Sequence, residues 1–138
     1  MKTITKNQLK QLTYQVVGAA IEVHKELGPG LLESVYHKCM KHELFLRGVS
    51  FTSSQNVNVG YKGIVLDTEL RYDLFIDEIF VVELKTVEAF APVHAAQIMT
   101  YMKLLKAPKG ILLNFYCYNL YKDGQKTFVN ELYESLSE

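Results

Sequence analysis

Three charged side chains lie inside two apolar segments of the stretch 71–85. Asp73 directly precedes Leu-Phe-Ile, and Glu83 and Lys85 belong to the run Phe-Val-Val-Glu-Leu-Lys. Burying a charge is costly unless it is paired with another charge or holds a metal. The segments are typical of two strands joined by a tight acidic turn. Because side chains alternate between the faces of a strand, Glu83 and Lys85 share a face.

The length of the turn decides whether Asp73 joins them. Asp73 lies ten positions before Glu83, and residues that face each other across a hairpin lie on the same side of the sheet. A three-residue turn at positions 77–79 places Asp73 opposite Glu83, whereas an even-length turn without a bulge places them on opposite faces. The sequence therefore predicts that two carboxylates and an ammonium group converge on one patch.

This combination of side chains has the groups needed to hydrolyse a phosphodiester. Carboxylates on a strand face suit a hard cation such as Mg²⁺, which takes oxygen ligands and keeps several waters. A metal held in this way can polarise a phosphodiester and lower the pKa of a bound water. An adjacent lysine can orient or deprotonate that water, or neutralise developing charge. The alternative is a cross-strand salt bridge at a sheet edge, which contributes less than ~1 kcal/mol when exposed.

Two helices are predicted before these strands. Apolar residues at spacings of three and four indicate an amphipathic helix over about 6–27, which Gly28 and Pro29-Gly30 end. A second helix is expected over about 31–47. Gly28-Pro29-Gly30 could bind phosphate at a helix N-terminus, but the chain lacks a Gly-x-Gly-x-x-Gly or Walker pattern, which favours a plain turn.

Glu33 lies in the first turn of the second predicted helix. The helix dipole stabilises a carboxylate there, which is a sufficient structural reason for it. Its neighbours Leu31, Leu32 and Val35 are apolar, however, and they indicate that this turn is at least partly buried.

The strands are expected to form an antiparallel meander. Val57, Val59 and Tyr61 alternate with polar residues, a turn follows at positions 62–63, and further strands are expected over 64–76 and 79–85. A helix over about 93–106 then carries Gln97 and Tyr101 on one face, since they are four residues apart.

The remaining elements complete one mixed sheet. An almost entirely apolar strand over 111–116 should be covered on both faces, and a last hairpin is expected around Asp123-Gly124. The order α-α-β-β-β-α-β plus a C-terminal hairpin predicts an α/β sandwich. With 138 residues the chain should form a single domain over 1–138.

Bulk composition excludes several classes of protein. A formal net charge of zero gives no support for a general nucleic-acid binder. No secretory signal is visible at the start, and the apolar runs are far too short for a membrane span. The spacing of Cys39 and Cys117 does not suit a metal site, so reduced thiols are expected. These features predict a cytoplasmic protein without a membrane partner.

The segment 30–36 reads Gly-Leu-Leu-Glu-Ser-Val-Tyr and matches a Gly-x-x-Glu-x-x-Tyr signature. Together with the approach at 24–30, Asp73, Glu83-Leu84-Lys85 and Asn114-Phe115, it makes the whole chain resemble the GxxExxY protein family. That family looks like a compact branch of the PD-(D/E)XK nuclease superfamily. The resemblance implies a nuclease-like fold with a central mixed sheet flanked by helices.

The resemblance also implies a role for each site residue. Asp73 and Glu83 would be metal ligands, with the Leu84 carbonyl as a third. Lys85 would act on the attacking water. Glu33 would complete the site as a metal ligand or bind a metal-bound water.

The third predicted helix is similar to one in RecB-like and lambda-exonuclease-like proteins. By this resemblance, Gln97 and Tyr101 would contact DNA phosphate or steady the carboxylates. Tyr72 stands where the PD motif has its proline, but that proline is often missing across the superfamily.

These inferences predict a Mg²⁺- or Mn²⁺-dependent nuclease that hydrolyses DNA phosphodiester bonds. A chain this small has little surface with which to enclose a duplex, so a homo-oligomer, most simply a dimer, is expected. The alternative is a catalytically silent nuclease-fold module that binds a partner or DNA.

Other residues with reactive or stacking side chains have simpler explanations. His24 is more often a packed or capping histidine than a ligand. The late tyrosines could stack on bases, although a tyrosine-rich rim more often belongs to a protein interface. They are Tyr116, Tyr118, Tyr121 and Tyr133.

Overall fold

The computed structural model describes residues 3–138, which form a five-stranded mixed sheet with helices on both faces. The strand order is β1-β4-β5-β6-β7; β5 and β6 are parallel, and the other neighbours are antiparallel. In chain order the elements are α1 (Lys6–Leu27), α2 (Glu33–Leu46), β1 (Phe51–Ser53), β2 (Val59–Tyr61), β3 (Ile64–Leu66), β4 (Leu74–Ile76), β5 (Phe80–Lys85), α3 (Pro92–Leu105), β6 (Lys109–Asn114), α4 (Leu120–Asp123), β7 (Gln125–Val129) and α5 (Glu131–Glu134).

The three long helices lie close to the predicted bounds. Helix α1 begins at Thr5, whose side chain accepts a hydrogen bond from the Gln8 amide, and ends at Gly28, whose amide bonds to the His24 carbonyl. Gly28 has φ of 70°, a conformation that favours glycine and ends the helix. No helix within residues 3–138 is long and apolar enough to cross a membrane.

The alternation of side chains along the strands creates two cores. Leu74, Val82 and Leu84 belong to the core beneath α1 and α2. Phe75 and Val81 belong to the core beneath α3. The strand period of two therefore places Asp73, Glu83 and Lys85 on the face that α3 covers.

The predicted register of the central hairpin is confirmed. Ile76 pairs with Phe80 and Leu74 with Val82, so the turn contains three residues. Asp77 and Glu78 both adopt the left-handed region, with φ of 51° and 59°. Extending the register by one pair places Asp73 opposite Glu83.

The predicted meander is wrong at its first strand. β1, which the sequence analysis left within a polar stretch, pairs with β4, while β2 and β3 form a separate two-stranded sheet. Thr68 accounts for the break, because its hydroxyl donates to the Val57 carbonyl at 2.6 Å and accepts from the Leu70 amide at 3.0 Å. Beyond Thr68 pairing resumes, because Arg71 forms an antiparallel bridge with Asn56 and the Val57 amide donates to the Leu70 carbonyl at 2.8 Å.

The predicted C-terminal hairpin is also wrong. Residues 120–123 form the short helix α4, whose N-cap Asn119 accepts a hydrogen bond from the Lys122 amide at 2.9 Å. β7 pairs instead with β6. This pairing satisfies the backbone groups on the side of β6 that β5 leaves open, and a local hairpin cannot do this.

Gly124 packs against the end of β6, so we expect Gly124→Ala to destabilise the fold. A Cβ at this position would lie 2.6 Å from the Asn114 carbonyl oxygen and 3.0 Å from the Cys117 sulfur. The expected loss of unfolding free energy is about 1–3 kcal/mol, measured by urea denaturation. Gly60→Ala is the matched control, since its Cβ would meet nothing within 4 Å. Equal stability of the two variants would contradict this packing argument.

Candidate active site

Asp73 and Glu83 are held by reciprocal hydrogen bonds across the β4–β5 hairpin. The Asp73 amide donates to Oε2 of Glu83 at 2.7 Å, and the Leu84 amide donates to Oδ2 of Asp73 at 2.7 Å. Glu83 is only 3% exposed, whereas Asp73 is partly buried. Backbone donors on each strand therefore fix the carboxylate that the opposite strand supplies.

The closeness of the two acids changes the protonation of Glu83. Burial, followed by the negative charge of Asp73, raises the pKa of Glu83 to about 9. The hydrogen bond from the Asp73 amide and the charge of Lys85 oppose this shift. At neutral pH the metal-free pair of carboxyls therefore retains a proton, and a cation bound beside the pair would displace it.

Lys85 contacts α3 and does not form the simple salt bridge considered above. Its Nζ donates to Oε1 of Gln97 at 3.2 Å. The salt bridges found among residues 3–138 lie elsewhere, at Lys6–Glu138 and Arg47–Glu43. The carboxylate pair on the strands is thus left without a bonded cationic side chain within this part of the chain.

Gln97 and Tyr101 lie on the face of α3 that is turned toward the acids, as the helical spacing predicts. Tyr101 is 4% exposed and hydrogen-bonds to the Gln97 side chain. Burial, then the charges of Glu83 and Asp73, raise the pKa of the Tyr101 phenol. The phenol therefore stays protonated close to both carboxylates.

Glu33 reaches the same site from α2. Partial burial, followed by the charge of Asp73, raises the pKa of Glu33, while the charges of Lys85 and His37 lower it. The expectation that this turn is buried is wrong for Leu31 and Leu32, which are 40% and 75% exposed. The turn instead lies at an open rim, where Glu33 faces both the acids and solvent.

The carboxylates do not form a ready-made cage for a metal. Within residues 3–138, no three His, Cys, Asp or Glu side chains group closely enough to hold an ion. Asp73 and Glu83 are therefore the carboxylates available to a shared cation, and backbone oxygen or water would complete its shell. Mg²⁺ is commonly bound in this way, through one or two carboxylates with several waters retained.

His37, which lies one helical turn after Glu33, was not among the predicted site residues. Its Nε2 lies 3.1 Å from the Asp73 carbonyl oxygen and 2.9 Å from the Ser53 hydroxyl. This contact joins α2 to β1 and to the start of β4. The i, i+4 spacing from Glu33 to His37 was the available signal, because residues so spaced share a helix face.

Comparison with known proteins identifies the superfamily of the chain. The family model of the PD-(D/E)XK nuclease superfamily matches residues 10–128, a range that includes every candidate site residue. No curated protein matches the chain significantly.

The fold is similar to that in the crystal structure of SSO0001, with a TM-score of 0.52 and 19% sequence identity. The match covers 70% of this chain and 49% of that protein, so this chain spans about half the length of its structural relative. At this identity the likeness concerns the fold alone. The family match, which extends over most of the sequence, carries the assignment: the chain belongs to the PD-(D/E)XK nuclease superfamily.

Proposed function

We propose that this protein is a divalent-metal-dependent nuclease of the GxxExxY type that hydrolyses DNA phosphodiester bonds. The observation that carries the proposal is the arrangement of Asp73, Glu83 and Lys85 on one face of the sheet. Both carboxylates are held there by backbone amides. Superfamily membership supports nuclease chemistry at this position.

The donor set fits a hard divalent cation. Asp73 and Glu83 offer carboxylate oxygens, and the Leu84 carbonyl is a candidate third ligand. Two adjacent acids that lack a salt-bridge partner among residues 3–138 favour a positive charge between them. When bound, Mg²⁺ or Mn²⁺ would polarise the scissile phosphate and acidify a bound water. Glu33 would accept a hydrogen bond from water at the rim, or join the ligands directly.

The remaining residues position the reacting groups. Gln97 holds Lys85 Nζ, which would orient the attacking water or neutralise charge that develops on the phosphate. Tyr101 can donate a hydrogen bond to a phosphate oxygen or to the carboxylates. His37 acts at a distance from the chemistry, because its bond to the Asp73 carbonyl fixes the backbone that carries the first acid.

DNA and a homodimer belong to the same proposal. The chain has no net charge, so affinity for a polyanion has to come from a local arrangement of groups and not from the overall charge. A second protomer would enlarge the surface that meets a duplex.

Asp73→Asn should weaken divalent-metal binding at least about tenfold, because metal affinity depends on the number of charged ligands. Isothermal titration calorimetry with Mn²⁺ and Mg²⁺ measures this directly. Asp67→Asn, at an exposed position after β3, is the matched control and should bind like wild type. If wild type binds neither ion, the metal site does not exist.

Lys85→Ala should lower the rate of DNA cleavage about 10²- to 10⁴-fold, the range typical of a lost acid-base or charge-stabilising group. Cleavage of plasmid, linear and branched DNA in Mn²⁺ is the assay, with circular dichroism to confirm folding. Lys10→Ala, at an exposed position on α1, is the control. Unchanged cleavage in Lys85→Ala would refute the catalytic role. A wild type that binds metal but cuts no DNA would favour the silent module.

The metal-free protein should lose stability as pH rises. The pKa of the Glu83 carboxyl is near 4.5 in the unfolded chain and about 9 in the folded protein. Its contribution to stability is therefore complete below pH 4.5 and is lost as the pH rises through about 9. Between pH 6 and pH 8 the unfolding free energy of wild type should fall by on the order of 2 kcal/mol more than that of Glu83→Gln.

Urea denaturation in chelator at several pH values measures this difference. The exposed Glu134→Gln is the control, and it should follow wild type at each pH. Parallel pH profiles for wild type and Glu83→Gln would show that Glu83 does not retain a proton in the fold.

A further inference from the structure

A cavity of about 400 Å³ lies beyond the ends of the parallel strands β5 and β6, and none of the residues assigned a role in the proposed nuclease lines it. Its lining residues are Pro29, Gly30, Glu88, Tyr116, Cys117 and Tyr118. Glu88 and Tyr116 follow the ends of β5 and β6, where Lys85 pairs with Asn114, and Gly30 precedes Glu33 by three residues. The cavity therefore lies at the end of the sheet at which Lys85 is placed.

Buried polar side chains fix two walls of this cavity. Asn114 is 4% exposed; its Oδ1 accepts from the amides of Val87 and Tyr116, both at 3.1 Å, and its Nδ2 donates to the Val87 carbonyl at 2.8 Å. One side chain thus joins the segment after β5 to the segment after β6. The positions of Glu88 and Tyr116 follow from these bonds.

The loop between α1 and α2 forms the third wall and is fixed in a similar way. The Tyr36 hydroxyl donates to the Gly28 carbonyl and accepts from the Leu31 amide at 3.2 Å. The Tyr36 ring stacks on Phe115, with centroids 4.5 Å apart. His24 Nε2 lies 2.7 Å from the Cys117 carbonyl oxygen. The cavity is therefore preorganised.

The chemistry of the lining indicates the kind of ligand. Tyr116 is 51% exposed and Tyr118 is 96% exposed, so both rings present aromatic surface to a ligand. Glu88 places a carboxylate at the same cavity, and the lining contains neither lysine nor arginine. This combination repels phosphate and favours a flat ring that carries N–H donors. The volume is at the small end of the range for ligand pockets, about 300–1,000 Å³.

We propose that this cavity binds one unpaired nucleobase of the DNA strand whose phosphodiester lies at Asp73 and Glu83. The inference rests on the proposed nuclease function and adds a substrate class to it: single-stranded DNA, or a duplex with frayed or unpaired ends. A base can stack on the rings of Tyr116 and Tyr118 only when its own faces are free, as they are in a single strand or at an unpaired end. The Glu88 carboxylate can accept a hydrogen bond from an amino group on the edge of a base. Cytosine offers such a donor at N4, whereas thymine has an acceptor at O4, so cytosine should bind more tightly.

Tyr118→Ala tests stacking. Removing a stacked ring should weaken binding of a short single-stranded oligodeoxynucleotide about 5- to 100-fold. Fluorescence anisotropy in Mg²⁺, with Lys85→Ala as the common background to suppress cleavage, measures affinity, and 2-aminopurine in the strand reports stacking through its quenching. Tyr14→Ala removes another exposed ring, at 75% exposure on α1, and should bind like wild type. Equal affinities for both variants would overturn the proposal.

Glu88→Gln tests recognition of the base. Wild type should prefer cytosine to thymine oligonucleotides about tenfold, as expected for a hydrogen bond to a charged group. The amide offers a donor to thymine O4, so the variant should lose or reverse this preference; the exposed Glu134→Gln should keep it. If wild type cleaves DNA but neither Tyr118→Ala nor Glu88→Gln changes oligonucleotide affinity or base preference, the base pocket is refuted and the nuclease function stands. Absence of both binding and cleavage in wild type refutes the nuclease function itself.

Discussion

The site depends on holding two carboxylates together against their mutual repulsion in an apolar setting. Asp73 and Glu83 each accept a backbone amide hydrogen bond from the opposite strand, and burial with the neighbouring charge raises the pKa of Glu83 to about 9. The two hydrogen bonds from backbone amides offset part of the cost of desolvating the carboxylates, and a proton on the pair removes their repulsion. A cation can take the place of that proton, so the same constraint that strains the metal-free site favours metal binding.

This constraint imposes a requirement on the surrounding fold. The register of β4 and β5 has to be exact, since a slip of one residue would turn one acid to the opposite face. The three-residue turn sets the register, and the buried pairs Leu74–Val82 and Ile76–Phe80 resist slippage because their displacement would expose them. Stability and function therefore depend on the same few strand residues.

The sequence was sufficient wherever one local pattern dominated. Helical periodicity located α1, α2 and α3, and turn length placed Asp73 opposite Glu83. It was insufficient where a tertiary contact decided the outcome. The sequence of β1 is typical of a polar loop, but β1 pairs with the open edge of β4. The Thr68 side chain, bonded to the Val57 carbonyl, lies where β2 and β3 separate from the main sheet. The spacing from Glu33 to His37 indicates only a shared helix face; the partners of His37, the Asp73 carbonyl and the Ser53 hydroxyl, are distant in sequence and could not be predicted from it.

The Gly-x-x-Glu-x-x-Tyr segment acquires a physical meaning from these contacts. Gly30 has φ of 104°, which lets the chain turn sharply before α2. Glu33 faces the acids from the open rim, and three residues later Tyr36 lies fully buried, bonded to both ends of the loop and stacked on Phe115. Since Phe115 directly follows β6, one aromatic stack ties the helix that supplies Glu33 to the sheet that supplies Glu83 and Lys85. The contacts of Tyr36 thus fix the position of α2 relative to the sheet, and with it the position of Glu33, whose pKa the charge of Asp73 raises.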